Sequence, residues 1–144
     1  MNQSVQNFAA LGGRVLLAMI FLISGFNKLS DFSGTAAFMS GAGLPAAELL
    51  LVLTIGIEVA GGLMIILGLY TRQLALMLFL FMIPVTAVFH NPWGAADPVQ
   101  LQQQMIHFLK NLAIMGGLLH LSAFGPGNFS IEARRLETAS LSRN

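Results

Sequence analysis

Four ionisable side chains lie inside apolar stretches of this sequence: Arg14, Glu58, His107 and Lys110. Lys28, His90 and Asn111 lie near them or at the ends of the same stretches. An ionisable group within hydrocarbon is costly, and by default it marks a site with a partner to be named. Glu58 is the strongest case. It stands near the centre of the stretch Ala46–Tyr70, about 15 Å from either end if the stretch is helical. There it must be protonated, paired or turned to a wet cavity. Arg14 and Lys110 lie about one and a half turns inside their own stretches, so a long basic side chain from either largely closes the gap. An Arg14–Glu58–Lys110 polar core is therefore within reach, and spacing alone does not choose between the pairs. His107, Lys110 and Asn111 stand at i, i+3 and i+4 and share one helix face; Arg14, Ala18, Phe21, Gly25 and Lys28 form a stripe on another.

Each of these residues also has a structural explanation. Arg14 and Lys28 could snorkel to headgroups from near the ends of their stretch. Glu58 could belong to an ion pair that pins helix register without doing chemistry. His120, alone in an apolar run, reads as a packed histidine. His90 and His107 have no carboxylate or Cys at a helpful spacing, so no metal site is expected.

The elements that position these groups follow from composition. Of 144 residues 56% are apolar and 9% charged, mean hydropathy is +0.76, net charge is +1 and there is no Cys. Soluble domains carry roughly 25% charged residues. The balance excludes a water-soluble globule, a disordered chain and a basic nucleic-acid binder. It also excludes a disulfide framework or a thiol redox centre. Length argues for one domain. A bilayer core needs about 20 mostly apolar residues as helix, and four stretches qualify: roughly 8–28, 46–70, 74–89 and 105–124. They are apolar all round instead of alternating, which predicts helices and not a barrel. The first lacks a basic leader and a small-residue cleavage site, so it is expected to be a retained helix.

The sequence thus predicts an all-α, multi-pass membrane protein, an antiparallel bundle of four transmembrane helices. Arg72, Arg134, Arg135 and Arg143 fall on one side and Lys28, with Lys110 as a second candidate, on the other, which puts both termini in the cytoplasm. Residues 1–133 form the membrane domain and 134–144 a polar cytoplasmic tail. Of the two outer loops, Asp31–Gly43 is expected to form a short interfacial helix presenting Phe32, Ala36 and Met39, with Pro45 opening the second span. Trp93, beside a span end in the other, reads equally as an interfacial anchor or as part of a site. Leu69–Arg72 is a tight turn between spans two and three. Contact faces are expected at Ala18 and Gly25, at Gly56 with Ala60, Gly61, Gly62 and Gly68, and at Gly116 and Gly117. Pro84 is expected to kink the third span.

The motifs carry a family resemblance over about Gly13 to Arg135. They are R-x-L-L-A-x-I-F-x-x-S-G-F-x-K (Arg14 to Lys28), G-x-P (Gly43 to Pro45) and E-x-x-G-G-L-x-x-x-L-G-x-x-T-R (Glu58 to Arg72). They continue with H-x-x-W (His90 to Trp93), F-x-K-N-x-x-I-x-G-x-L-L (Phe108 to Leu119) and G-P-G-x-x-S-I-E-x-R-R (Gly125 to Arg135). In this order and at these separations the chain resembles the DoxX family of small four-helix bacterial inner-membrane proteins. The resemblance implies an inner (plasma) membrane location. It also implies that Arg14, Lys28, Glu58, His90, Lys110 and Asn111 occupy the family's polar positions. Some DoxX relatives are subunits linked to quinone reduction, notably of thiosulfate:quinone oxidoreductase, and others accompany redox partners in oxidative-stress complexes.

Three functions compete. The first is a quinone-linked redox subunit, with Glu58, Lys110 and His107 hydrogen-bonding the quinone and relaying protons inside apolar walls. It implies no covalently bound cofactor, and electrons from a soluble or membrane oxidoreductase partner. The second is a small permease or channel built around Glu58, which four helices would support best as a homo-oligomer. The third is a non-catalytic scaffold in the bilayer. Whether the chain is an enzyme stays open among them, and no nucleic-acid partner is expected.

Overall fold

In the computed structural model, which describes residues 2–142, the apolar runs become helices. The order is α1 (Gln3–Ser30), α2 (Phe32–Gly41), α3 (Ala47–Leu67), α4 (Thr71–Phe89), a 3₁₀ turn (Pro92–Gly94), α5 (Pro98–Phe124) and α6 (Ile131–Leu141). There is no strand among the described residues. Asp31 closes α1 and caps α2, its carboxylate accepting the Gly34 N–H at 3.1 Å. Asp97 caps α5 and Ser130 caps α6 in the same manner. The hairpin between α3 and α4 turns on Gly68 at φ 70°, where the Leu69 N–H reaches back to the Met64 carbonyl at 2.9 Å. Helix α3 begins only at Ala47, so Pro45 lies in the turn before it rather than in its first turn. Helix α4 continues through Pro84 to Phe89.

The four long helices form an antiparallel ring. Helix α1 packs most extensively on α3 and α4 on α5, while α3–α4 and α1–α5 contacts close the circle. Its core is Ala18 and Phe21 of α1, Ile65 of α3, Ala75, Leu78 and Met82 of α4, and Leu118 and Leu121 of α5. Helix α2 lies against α3 through Ala36 and Met39, with Phe32 partly buried beside them. Large apolar side chains such as Leu16, Leu53 and Leu80 face outward, as a lipid-embedded bundle requires.

Close packing uses only some of the small residues. A methyl group on Gly61 would touch Leu78 at 3.5 Å, and one on Gly62 would press Leu22 and the Ala18 carbonyl. Gly56 and Ala60, expected at a helix contact, are instead exposed on the lipid side of α3, and Gly116 likewise meets nothing. The register of the bundle turns Gly61, Gly62 and Gly117 inward in their place. His120, expected to be packed, also faces outward and stacks only on Phe124 at 4.5 Å.

Helices α1 and α3, and the segment Thr71–Gly94 containing α4, are long and apolar enough to cross a membrane. Helix α5 has the length, 27 residues, but its polar start and internal His, Lys and Asn residues dilute its hydropathy. The pairing of α4 with α5 explains that start. Arg72 meets the Ala123 carbonyl, Thr86 meets Asn111 and His90 stacks on His107. Residues 98–106 therefore extend beyond the end of α4, past the apolar body of the bundle.

At the opposite end the C-terminal segment is strapped down. Arg14, only 2% exposed, donates to the carbonyls of Pro126 and Phe129, each at 2.7 Å. Arg72 grips Ala123 and Phe124, and the Glu132 N–H donates to the Gly68 carbonyl at 3.1 Å. Helix α6 grows from this strap, and the 133/134 boundary falls inside it. Arg143, used above for orientation, lies outside the described residues.

Candidate functional site

Where α1 and α3 cross, Gly25 has no side chain to hold them apart, and the backbones approach closely enough to bring Lys28 onto Glu58. The Lys28 ammonium lies 2.9 and 3.0 Å from the two Glu58 oxygens. Ser24, one turn before Lys28, completes the cluster: it accepts from Lys28 at 2.5 Å and donates to Glu58 at 3.1 Å. The Glu58 side chain is 6% exposed and that of Lys28 24%. Each carboxylate oxygen thus has a donor, the condition for holding an ion pair in a poorly solvated place.

This arrangement corrects the three-residue core of Arg14, Glu58 and Lys110. Because α1 and α3 are antiparallel, Arg14 lies level with Gly68, ten residues or about 15 Å along α3 from Glu58. Arg14 neither snorkels nor pairs with an acid. Its partners are backbone carbonyls at the strapped end. Lys28, for which snorkelling was an alternative, is the residue that meets Glu58.

Lys28 and Glu58 stand in a cavity of about 320 Å³ that opens at the end away from the strap. Its walls are apolar: Ile20 and Phe21 of α1, Phe38 and Met39 of α2, Met82, Val85 and Phe89 of α4, and Ile114 of α5. Phe38 stacks on Phe89 with ring centres 5.5 Å apart, so α2 leans across the mouth. The polar lining converges from α1, α3 and α5 and from the residue that closes α4, as Ser24, Lys28, Glu58, His90, Lys110 and Asn111. Asn111 is buried and donates to the Thr86 hydroxyl at 3.1 Å, tying α5 to α4.

Lys110 and His107 sit at the rim, the Lys110 ammonium 3.2 Å from His107 Nδ1. The His107 ring stacks on that of His90 with centres 5.0 Å apart. His90 Nδ1 is buried without a hydrogen-bond partner among the described residues. No three His, Cys, Asp or Glu side chains gather into a metal-binding group among the described residues.

Five of the seven sequence-selected residues, Lys28, Glu58, His90, Lys110 and Asn111, therefore line one cavity. His107 joins it through His90 and Lys110, and Arg14 does not. Sequence reasoning missed Ser24, Thr86 and the α2 contribution of Thr35 and Phe38. Ser24 was detectable, since it lies one turn before Lys28 beside the Gly25 stripe. Thr86 looks like any small residue in an apolar run.

The cavity can hold a small amphiphile whose polar head meets an ammonium, a carboxylate and an amide within apolar walls. Comparison with known proteins adds lineage. The DoxX family model matches residues 9–91, which include Arg14, Lys28, Glu58 and His90. The chain is 32% identical over 121 residues to the inner membrane protein YphA of Escherichia coli (strain K12), covering 84% of this chain and 86% of that one. It is 33% identical over 130 residues to the inner membrane protein YqjF of the same organism, covering 90% and 94%. A Surfeit locus protein 4 homolog of Drosophila melanogaster is 23% identical over 138 residues, 90% of this chain but 42% of that protein. No solved structure matches significantly. With the family model spanning more than half of the chain and two relatives similar over most of it, this protein belongs to the DoxX family and is an all-helical integral protein of the inner membrane.

Proposed function

We propose that the protein is the membrane subunit of a quinone-linked redox complex, and that the cavity at the Lys28–Glu58 end receives the quinone head. One observation carries the reading. A cavity near the lower end of the ~300–1,000 Å³ range of small-molecule sites combines apolar walls with polar groups from α1, α3 and α5 and from His90 at the end of α4. A quinone supplies two-electron, two-proton redox chemistry when bound. The residues present fit such a head: the Lys110 ammonium and the Asn111 amide bring donors to the lining toward carbonyl oxygens, and His90 lines the same cavity beside Gln104, while the Lys28 ammonium is committed to Ser24 and Glu58. Glu58, held by Lys28 and Ser24, is the group that accepts or returns a proton at its carboxylate. His90 lines the same cavity, and Lys110 stands at its rim.

The reading includes four membrane spans with α5 as the fourth, both termini in the cytoplasm, and a soluble or membrane oxidoreductase that delivers electrons. A conduction path is less well supported, since Arg14 and the C-terminal strap fill the opposite end of the ring.

The test is native mass spectrometry of the protein released gently from its own membrane, with extracted lipids analysed for quinones. A near-stoichiometric quinone that is lost in Glu58→Gln and in Lys28→Met, with helix content by circular dichroism unchanged, is the expected result. A quinone-free wild-type chain, or equal quinone in the variants, overturns it.

A further inference from the structure

The cavity that holds the Lys28–Glu58 pair is not electrically balanced. Its lining carries two ammonium groups, Lys28 and Lys110, and one carboxylate, Glu58. The Lys28 ammonium has three protons, and its contacts with Ser24 and with both Glu58 oxygens use them all. Glu58 is thus answered from within the cavity, and Lys28 has no donor left for a ligand. Lys110 is different. Its one hydrogen-bond contact among the described residues is His107 Nδ1 at 3.2 Å, so two of its three N–H groups are uncommitted. The one ion pair among the described residues is Lys28–Glu58, so no carboxylate lies against Lys110.

The other acids serve elsewhere. Asp31 and Asp97 cap α2 and α5. Glu48 stands ten residues, about 15 Å of helix, before Glu58 on α3. Glu132 and Glu137 belong to α6, at the strapped end. The cavity therefore keeps one uncompensated positive charge, and its place is fixed. His107, which accepts from Lys110, stacks its ring on His90 of the lining. Asn111, the next residue, spends one amide hydrogen on the Thr86 hydroxyl and retains a second. Charge-assisted hydrogen bonds are about twice as strong as neutral ones, and apolar surroundings strengthen them further. Ile114, one turn along α5 from Lys110, and Phe89 supply such surroundings.

We propose that this cavity selects amphiphiles with an anionic head, and that Lys110, with the Asn111 amide beside it, is the residue that sets the selectivity. The proposal rests on the reading of the cavity as a quinone site and narrows it: the preferred quinone carries an ionised ring hydroxyl beside its carbonyls. Such a head brings the one negative charge that the lining lacks, whereas a neutral quinone leaves the Lys110 charge uncompensated. The Lys28–Glu58 pair stays intact beside it, since neither member has to change partner.

The experiment uses the full chain in a non-ionic detergent at neutral pH, with dissociation constants read by microscale thermophoresis. One probe is an alkyl hydroxynaphthoquinone, whose ring hydroxyl is ionised at neutral pH; its control is the O-methyl ether with the same chain. Dodecanoate and dodecanol form a second pair without a quinone ring. The wild type should bind the ionised quinone about tenfold more tightly than the ether. That ratio should fall toward unity in Lys110→Gln and persist in Lys110→Arg, which keeps the charge. Lys110 is exposed at the rim, so its replacement leaves the packing of the bundle intact. Equal affinities in the wild type, or a ratio that survives in Lys110→Gln, overturn the selectivity and leave the quinone reading standing. If neither quinone binds while dodecanoate binds better than dodecanol and loses that advantage in Lys110→Gln, the selectivity holds and the quinone reading falls. Binding of none of the four overturns both. Arg72, Arg134 and Arg135, at the strapped end, are the same in every variant, so the change in ratio reads Lys110 alone.

Discussion

Gly25 of α1 faces Glu58 of α3 so closely that a methyl group on the glycine would lie 3.4 Å from the Glu58 Cβ and 2.6 Å from a Val59 methyl. The missing side chain is what brings the Lys28 ammonium onto the Glu58 carboxylate. Gly25→Ala is therefore expected to lose about 1–3 kcal/mol, the usual penalty of overpacking, and to push Lys28 away from Glu58. Gly56→Ala, on the open lipid-facing side of the same helix α3, is the control and should be neutral. Thermal unfolding of both variants in detergent checks the contrast, and equal melting temperatures would remove the close approach as a determinant.

The Lys28–Glu58 pair predicts a non-additive mutant cycle. Lys28→Met leaves a carboxylate that is 6% exposed with Ser24 as its remaining partner. Stranding one member of a buried pair costs about 3–5 kcal/mol. Removing the charge from both, as Lys28→Met with Glu58→Gln, should recover most of that loss. Denaturation midpoints of the two single variants and the double variant give the coupling, and simple additivity would show that the pair is not energetically linked.

Arg14 is predicted to hold the C-terminal strap rather than the cavity. Its two terminal guanidinium nitrogens each reach a carbonyl at 2.7 Å, a fork that the single ammonium of Lys cannot reproduce. Arg14→Lys should thus behave almost like Arg14→Ala, leaving the Pro126 and Phe129 carbonyls without their charged donor at about 1–3 kcal/mol each. The expected readout is faster proteolysis between Gly125 and Ile131, with ligand retention in the cavity unchanged. Loss of retention without faster proteolysis would move Arg14 back into the site.

The topology is directly measurable because the chain has no Cys of its own. An impermeant maleimide applied to intact spheroplasts should label Asn91→Cys and spare Ser142→Cys until the membrane is opened. Labelling of both from outside would show that α5 does not cross and that the orientation inferred from Arg72 and Arg134 fails.

Much of this protein was legible in its sequence. The scarcity of charge and the four apolar stretches specify a helical membrane protein, since backbone groups in lipid must be satisfied within the segment. The stripe Arg14–Ala18–Phe21–Gly25 is buried as its spacing requires, and α2 presents Ala36 and Met39 to α3 as its pattern implies. Capping residues Asp31, Asp97 and Ser130 mark helix starts by local chemistry that needs no tertiary information.

Partner choice was not legible. One-dimensional spacing places Glu58 near mid-membrane but leaves its partner open, because pairing depends on how α1 slides along α3. That slide is set by which glycines face a neighbour: Gly25 and Gly62 do, Gly56 and Gly116 do not, and all four look alike in sequence. The register so fixed gives Glu58 to Lys28 and sends Arg14 to the carbonyls of Pro126 and Phe129. The packing of α4 on α5 likewise stacks His90, at the end of α4, on His107. The sequence alone determined the class of molecule and its inventory of polar groups. Tertiary packing decided which of those groups meet, because close approach between helices is a property of two surfaces and not of either segment alone.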